Sequence, residues 1–283
     1  MYFDLSILSV FVRTINLLFS KNTHSYLGNL SDNYLRKNEP YIYNNIIEIL
    51  NENETIDNSF YLNTISSVSS WADTIKRSKE YVWTKTFHYI DIMECKKEIY
   101  DSKTINNYCK ESCITSALIL FVEELKSRQK SNKCNLKYDQ FNMESKLSDQ
   151  DLLKFIIHFM EDFIEPMHIL GYERGGNTRK LKVKMLNGKI RILNLHQLWD
   201  SIIPDYYIKT YKPSFLFKVE KPSNYSLFIE NQLNKNIQIA CLIYPDPDIN
   251  LIIFEEYFNK EFMDTLFKNY HEISIGTFKY IFS

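Results

Sequence analysis

Apolar residues recur at helical spacing over most of the chain. The longest such stripe begins after Ser148 or Asp149, either of which can cap a helix, and runs to about Ile164 before the helix-breaking Pro166. The same i, i+3, i+4 spacing predicts further helices over Pro40–Leu50, Tyr61–Lys79, Cys113–Leu125 and Phe254–His271. The pattern therefore indicates a mainly α fold, and it shows no internal repeat or domain boundary within residues 1–283.

Two segments have a different pattern. Apolar residues alternate with polar ones over Lys180–Leu195, interrupted by Asn187-Gly188, which predicts a β-hairpin with a type I′ turn. Tyr81–Asp91 has the residue types of a strand or extended segment. Cys95–Cys109, Lys126–Lys137 and Pro245–Asp248 are expected to be loops, and Tyr206–Tyr244 is too mixed to assign.

Composition narrows the classes of partner. The chain has 283 residues and a formal net charge of -1, so it has no global attraction to nucleic acid or to anionic membranes. Met1–Ser20 is largely apolar and fits either a degenerate signal peptide or an amphipathic first helix. No later segment is long and apolar enough to span a bilayer.

Five cysteines leave two interpretations open. Cys109 and Cys113 are close enough in sequence to close a small loop, Cys95 and Cys241 could join distant parts, and Cys134 is then odd. Zinc thiolates are the competing interpretation, although no second Cys pair has matching spacing. Three glycosylation sequons fit secretion, but an Asn-rich chain also produces them by chance; they begin at Asn29, Asn53 and Asn224.

Candidate chemistry concentrates in the longest stripe. His158 and Asp162 are four residues apart and share a helix face, and His168 follows just after Pro166. His196 and Asp200 repeat this spacing among apolar residues. A lone His-x-x-x-Asp pair is more often a satisfied core pair than a metal site. Zinc would compensate such a buried charge, because imidazole and carboxylate are both good zinc ligands.

Two further clusters strengthen the metal interpretation. They are Trp71-Ala72-Asp73 and His88-Tyr89-Ile90-Asp91. Together with Gly175-Gly176-Asn177, the clusters follow the order and nearly all the local spacings of one family pattern. The chain resembles the zinc-dependent, single-strand-specific S-one/P-one nucleases, which are related to the zinc phospholipases C. The motifs span about Tyr61–Asp200, whereas residues 1–42 match poorly.

The resemblance implies a helical bundle of the phospholipase C/nuclease type with three zinc ions in a cleft, two of them well supported here. The first ion would be held by Asp73, His88, His158 and Asp162, and Asp162 would bridge to a third. His168, His196 and Asp200 would hold the second. Two disulfides are also implied, Cys95–Cys241 and Cys109–Cys113.

The resemblance also implies substrate-binding residues. Lys76 matches a basic position near the phosphate, and Asn177 resembles an amide donor to it. Tyr89 would stack a base and Asp91 would bind its edge, which favours single strands because duplexes hide base faces. The alternatives are a surface lysine, a simple turn, a core tyrosine and a helix cap, respectively.

The implied activity is hydrolysis of single-stranded DNA and RNA by metal-activated hydroxide to 5′-phosphorylated products, with some 3′-nucleotidase action. A monomer in the secretory pathway or outside the cell is expected, with no stable protein partner. A phospholipase-like phosphodiesterase is disfavoured by Asp200, because that branch has Glu there. A catalytically impaired zinc-binding relative is the third hypothesis.

The chain departs from the family pattern in two places, and the first departure motivates that third hypothesis. The family holds its third zinc through an N-terminal Trp and a His five residues later, but here no Trp precedes Trp71 and His24 is the only early His. Glu161 and Glu165 replace the usual Gly and Gln beside Asp162. Their added negative charge would favour metal and oppose phosphate.

Overall fold

The computed structural model describes residues 21–52, 63–95, 99–109, 112–131, 147–215 and 217–283. The predictions for Met1–Ser20, Asn53 and Cys134 fall outside these residues. Within them the fold is mainly α, as predicted. The helices are α1 (Lys21–Asn38), α2 (Pro40–Leu50), α3 (Ile65–Val68), α4 (Trp71–Ile75), a 3₁₀ helix (Val82–His88), α5 (Ser102–Cys109), α6 (Ile114–Ser131), α7 (Asp149–Asp162), α8 (Pro166–Ile169), α9 (Leu195–Gln197), a π turn (Leu198–Ile202), α10 (Ile203–Tyr211), α11 (Tyr225–Ile243), α12 (Phe254–Tyr257) and α13 (Lys260–Phe282).

Helices α7 and α13 form the centre of the fold. The Ser148 hydroxyl caps α7 by accepting the backbone N–H of Asp151 at 3.0 Å, which confirms the predicted start. Every residue from Phe155 to Asp162 is buried, and the aromatic rings of this helix stack on those of α6. A helix apolar on all sides must be enclosed by others, and α1, α2, α6 and α13 all pack on α7.

Close approach of α1 to α3 depends on a glycine. A Cβ atom at Gly28 would lie 2.4 Å from the Ser69 hydroxyl and 2.7 Å from the Ser66 Cα. One turn further along α1, Asp32 accepts the backbone N–H groups of Ile65 and Ser66, at 3.2 and 3.0 Å, and so caps α3. This packing brings the first turns of α1 against the Ser69 segment.

The predicted hairpin is present, but its turn differs. Strand β1 (Lys180–Lys184) pairs antiparallel with β2 (Ile190–Asn194) and parallel with β3 (Leu251–Ile253). Gly188 has φ +76°, whereas Asn187 is not among the described non-glycine residues with positive φ. A type I′ turn needs positive φ at both central residues, so that prediction is wrong. The Gly188 N–H instead donates to the Met185 carbonyl across a type I turn, and the left-handed glycine closes the loop.

The predicted helix over Tyr61–Lys79 is broken within its described part. Helices α3 and α4 are separated at Ser69-Ser70, where the Ser69 carbonyl lies 2.7 Å from His158 Nδ1. In a continuous helix this carbonyl would accept a hydrogen bond from the N–H four residues later. Because the helix is broken here, the carbonyl can instead accept one from His158.

The strand predicted over Tyr81–Asp91 is also wrong for most of its length. Trp83 and Phe87 are four residues apart, and the 3₁₀ helix puts their rings 5.5 Å apart against the aromatic core. Only the end of the segment is extended: the Ile90 and Ile92 N–H groups donate to the carbonyls of His168 and Ile169. This pairing fixes Tyr89 beside His168.

The remaining predictions hold in part. The loop expected from Cys95 to Cys109 contains α5, which starts where Asp101 accepts the Thr104 N–H at 2.8 Å. Helix α6 continues to Ser131, into the expected Lys126–Lys137 loop. The C-terminal helix is divided at Asn259, whose side chain caps α13.

Two disulfides are formed, Cys95–Cys241 and Cys109–Cys113. The first ties the segment after the 3₁₀ helix to α11, and the second joins α5 to α6. The zinc-thiolate interpretation is therefore wrong for these four cysteines. In the described part of the chain, no helix has the length and apolarity needed to cross a membrane.

Candidate metal centre

Asp162 lies at the centre of a buried cluster built from distant parts of the chain. Its Oδ2 is 2.7 Å from His88 Nδ1 and 3.0 Å from His158 Nε2. Its Oδ1 faces the other way, 3.7 Å from His24 Nε2 and 3.5 Å from His168 Nδ1. One carboxylate thus faces imidazoles on two sides, which suits a bridging ligand.

Asp73 lies next to this carboxylate. Its Oδ1 is 3.5 Å from His158 Nε2 and 3.8 Å from His88 Nδ1. Lys76, one helical turn later, places its Nζ 2.5 Å from the same oxygen. The four residues predicted for the first ion are therefore together, and Lys76 contacts them directly.

His24 joins the cluster from α1, which the sequence did not predict. Its ring stacks on that of His158, with centroids 4.5 Å apart, and its Nε2 lies 3.7 Å from Asp73 Oδ2. Its Nδ1 is 2.7 Å from the buried carboxylate of Glu161. One feature of the sequence could have indicated this position: His24 and Gly28 are four residues apart, so both lie on the face of α1 that packs on α3.

His168 and His196 form the second part of the centre, with ring centroids 5.2 Å apart. His196 Nδ1 donates to the Gly175 carbonyl at 2.9 Å, which leaves Nε2 as the available ligand atom. That carbonyl belongs to a left-handed turn, Glu173–Gly176, in which all four residues have positive φ. Such a turn is costly at its two non-glycine positions, as is common at functional sites.

Asp200 and Glu165 are both buried beside this pair. Among the described residues, the ligand atoms of Glu165, His168 and His196 lie within 4.8 Å of one another, and no such triad includes Asp200. Asp200 is 2% exposed, and burial together with the charge of Asp162 raises its pKa well above the usual value. Burial together with the neighbouring Asp200 likewise raises the pKa of Glu165. Glu165, which the ligand prediction omitted, is therefore the carboxylate that the described structure groups with His168 and His196.

Electrostatics set the protonation of the two central carboxylates. Burial opposes their ionisation, but the positive charge of His158 outweighs it and holds the pKa values of Asp73 and Asp162 well below the usual range. The same contacts raise the pKa of His158 well above its usual value, even though burial acts against protonation. Both aspartates are therefore anionic at neutral pH, the form that binds metal.

The neighbouring histidines are shifted the other way. Burial lowers the pKa of His88 to about 4 and that of His168 to about 3. Burial also lowers the pKa of His196. At neutral pH these imidazoles are free bases, as metal ligation requires.

The donor set fits divalent cations. Five carboxylates within this region are at most 4% exposed, namely Asp73, Glu161, Asp162, Glu165 and Asp200. Burial raises the pKa values of Glu161, Glu165 and Asp200, and a bound divalent cation would supply the positive charge that stabilises their ionised forms. Glu165 Oε1 and His168 Nδ1 are buried without a hydrogen-bond partner among the described residues. The chemistry of His and carboxylate donors matches zinc.

A cleft of about 540 Å³ opens above the cluster. All the residues predicted to contact substrate line it, together with histidines of the cluster: Lys76, Tyr89, Asp91 and Asn177, with His88, His168 and His196. Lys85 and Arg174 also line it and were not predicted. Asn177 Nδ2 donates to the Arg174 carbonyl within the left-handed turn, so the amide also has a structural role.

Comparison with known proteins agrees with this geometry. The family model described as S1/P1 nuclease matches residues 19–247. Of residues 1–42, which were expected to match poorly, the family model covers 19–42, beginning five residues before His24.

Curated relatives of the chain are named as nucleases. Endonuclease 4 of Arabidopsis thaliana is 30% identical over 151 residues, which are 52% of this chain and 46% of that protein. Nuclease P1 of Penicillium citrinum is 24% identical over 51% of this chain and 46% of its own length. Nuclease S1 of Aspergillus oryzae is 26% identical over 53% and 44%, respectively. The matched stretch therefore spans about half of each relative.

The family match, over residues 19–247, covers most of the chain. The chain belongs to the S1/P1 nuclease family.

Proposed function

We propose that this protein is a zinc-dependent nuclease that hydrolyses phosphodiester bonds in single-stranded DNA and RNA. The observation that carries the proposal is the position of Asp162, whose two oxygens face His88 and His158 on one side and His24 and His168 on the other. Such convergence of anionic and neutral ligands in a cleft has no purpose in core packing, since buried charge is costly.

Asp73, His88, His158 and Asp162 would hold the first ion, and His168, His196 and Asp200, with Glu165 beside them, the second. Zinc, when bound there, supplies Lewis acidity that lowers the pKa of water toward neutrality and stabilises phosphoryl charge. The protein's own part is to hold Asp73 and Asp162 as anions and His88, His168 and His196 as free bases, and to position the substrate.

His24 and Asp162 would hold the third ion. The resemblance assigns the remaining ligands to a backbone amine and carbonyl five residues before the His, and Phe19 stands at that spacing. Backbone groups are common to all residues, so Phe in place of Trp leaves this chemistry intact. Residue 19 lies outside the described residues, and removal of the preceding segment would be needed to free its amine.

Substrate contacts follow from the cleft. Lys76, Lys85 and Arg174 supply positive charge to an otherwise acidic site, which would attract the phosphate backbone. The Tyr89 ring is 38% exposed where it lines the cleft and is available to stack on a base. An exposed base face exists only in unpaired strands, which supports a preference for them. Secretion fits the two disulfides, which persist in oxidising compartments.

The test is a comparison of substrates with the purified protein. Labelled single-stranded and duplex oligonucleotides of one sequence are incubated with and without a chelator, and product ends are analysed. We expect cleavage of the single strand, 5′-phosphate ends, loss of activity with chelator and recovery with zinc. Hydrolysis of phosphatidylcholine micelles without nucleolysis would contradict the proposal.

A further inference from the structure

Glu161 is a buried acid that the proposed reaction does not use. It stands where the family pattern has Gly, next in sequence to Asp162, and its side chain is 0% exposed. Leaving a carboxylate in such a place without partners would cost several kcal/mol. Its contacts therefore indicate why the chain tolerates it.

Both oxygens of Glu161 have partners. Oε2 lies 2.7 Å from His24 Nδ1, and Oε1 lies 2.8 Å from the hydroxyl of Ser69. The Ser69 hydroxyl is also 2.8 Å from the Ile65 carbonyl. The carboxylate thus bridges α1 and the break after α3, on the side of His24 opposite the ligand oxygens.

These contacts determine which nitrogen of His24 is available. A neutral imidazole carries one N–H, and a carboxylate can only accept hydrogen bonds. With Nδ1–H donated to Glu161, the lone pair lies on Nε2, which is 3.7 Å from both Asp73 Oδ2 and Asp162 Oδ1. The stacked ring of His158 prevents the His24 ring from turning away.

We infer that Glu161 is a positioning residue that holds His24 as the Nδ1–H tautomer, with Nε2 directed at the third zinc beside Asp162. Carboxylate–histidine–metal arrangements of this kind orient the ligand and raise its basicity. This inference rests on the proposed function, because it requires the third ion.

The test measures binding of each zinc ion rather than activity. Wild type and the variants Glu161→Gln, Glu161→Ala and His24→Ala, each beginning at residue 19 so that the amine of Phe19 is free, are equilibrated with zinc in competition with a chelator, and bound zinc is counted per chain. Glu124→Gln is the matched control, since Glu124 is a buried glutamate paired with Arg128 on α6. Loss of the group that accepts the other N–H of a ligand histidine weakens metal binding by about 10–100-fold.

We expect His24→Ala to lose one ion, Glu161→Ala to bind that ion about 100-fold more weakly, and Glu161→Gln about 10-fold more weakly, because the amide oxygen still accepts the N–H. Affinity for the other ions, and all affinities in Glu124→Gln, should stay within about twofold. Equal affinity in Glu161→Ala and wild type would overturn the inference, as would equal weakening of every ion.

A second measurement needs no variant. Nitrogen NMR of the zinc-loaded wild type should show the His24 proton on Nδ1, and a proton on Nε2 would overturn the inference. If wild type and His24→Ala bind the same number of ions, no third ion exists and Glu161 has no such role. Zinc-dependent cleavage by that protein would still leave the nuclease proposal intact, so the two failures are distinguishable.

Discussion

Replacing Asp162 with Asn tests the bridging arrangement with almost no change of shape. The amide keeps an oxygen at the same place but removes the negative charge that four imidazoles face at 2.7–3.7 Å. No cavity is created, so a loss of metal in this variant reflects charge and ligand chemistry rather than collapse of the core.

The size of the effect follows from the charges. Unit charges 4 Å apart interact by about 4 kcal/mol at an effective dielectric constant of 20, and a divalent ion doubles this to about 8 kcal/mol. Dehydration of the carboxylate offsets several kcal/mol of that gain. A net loss of about 3–4 kcal/mol per ion remains, or a 10²–10³-fold weaker affinity for each of two ions.

The assay is zinc titration by competition, with activity on a single-stranded oligonucleotide measured in parallel. Asp162→Asn should lose the first and third ions at zinc concentrations that saturate wild type, retain the second, and lose at least about 10³-fold in kcat/KM. Asp151→Asn is the control, because it makes the same substitution on α7 in the first turn, away from the cluster. Wild-type zinc content in Asp162→Asn would refute the bridging role.

Three further predictions concern other parts of the molecule. Tyr89→Ala should weaken single-strand binding by about 1–3 kcal/mol while Tyr89→Phe retains it, as measured by fluorescence anisotropy; equal affinity in both variants would exclude stacking. Gly176→Ala should lower the affinity for the second zinc, because the added Cβ would lie 3.0 Å from the backbone N of His196. Gly188 is also left-handed, but a Cβ there would have no atom within 4 Å. Gly188→Ala should therefore lower the unfolding free energy in urea by only about 1–2 kcal/mol. Removing the Cys95–Cys241 disulfide, whose cysteines have a sequence separation of 146, should lower the unfolding free energy by about 5 kcal/mol; an unchanged urea midpoint would contradict this.

Local pattern was enough to predict the elements whose stability is local. The cap of α7, its apolar stripe and the alternation of the hairpin are all properties of short segments. The turn type was wrong because the Asn-Gly pair also suits a type I turn followed by a left-handed glycine.

Tertiary contacts decided the elements that the sequence did not predict. The break at Ser69 exists because His158, 89 residues later, takes that carbonyl. The 3₁₀ helix replaces a strand because its aromatic rings pack on α6 and α7. Neither partner can be identified from the segment alone.

The candidate site likewise contains residues that local sequence patterns predict and residues that only tertiary contacts bring together. Residues in ordered motifs, such as His158 and Asp162, could be proposed from spacing, and the structure brings them together. His24 and Glu161 belong to no motif in this sequence. His24 lies far from the other ligands in the chain, and Glu161 departs from the family pattern. Only the packing of α1 on α3 shows that they meet.

The most direct test of the account is the zinc content of the protein as purified, determined by mass spectrometry on the same sample that is assayed for cleavage of single-stranded DNA. We expect at least two zinc ions per chain, a third where the amine of Phe19 is free, and cleavage that is lost in proportion as zinc is removed. Full cleavage by zinc-free protein would contradict the claim that the buried cluster exists to bind the ions that perform the reaction.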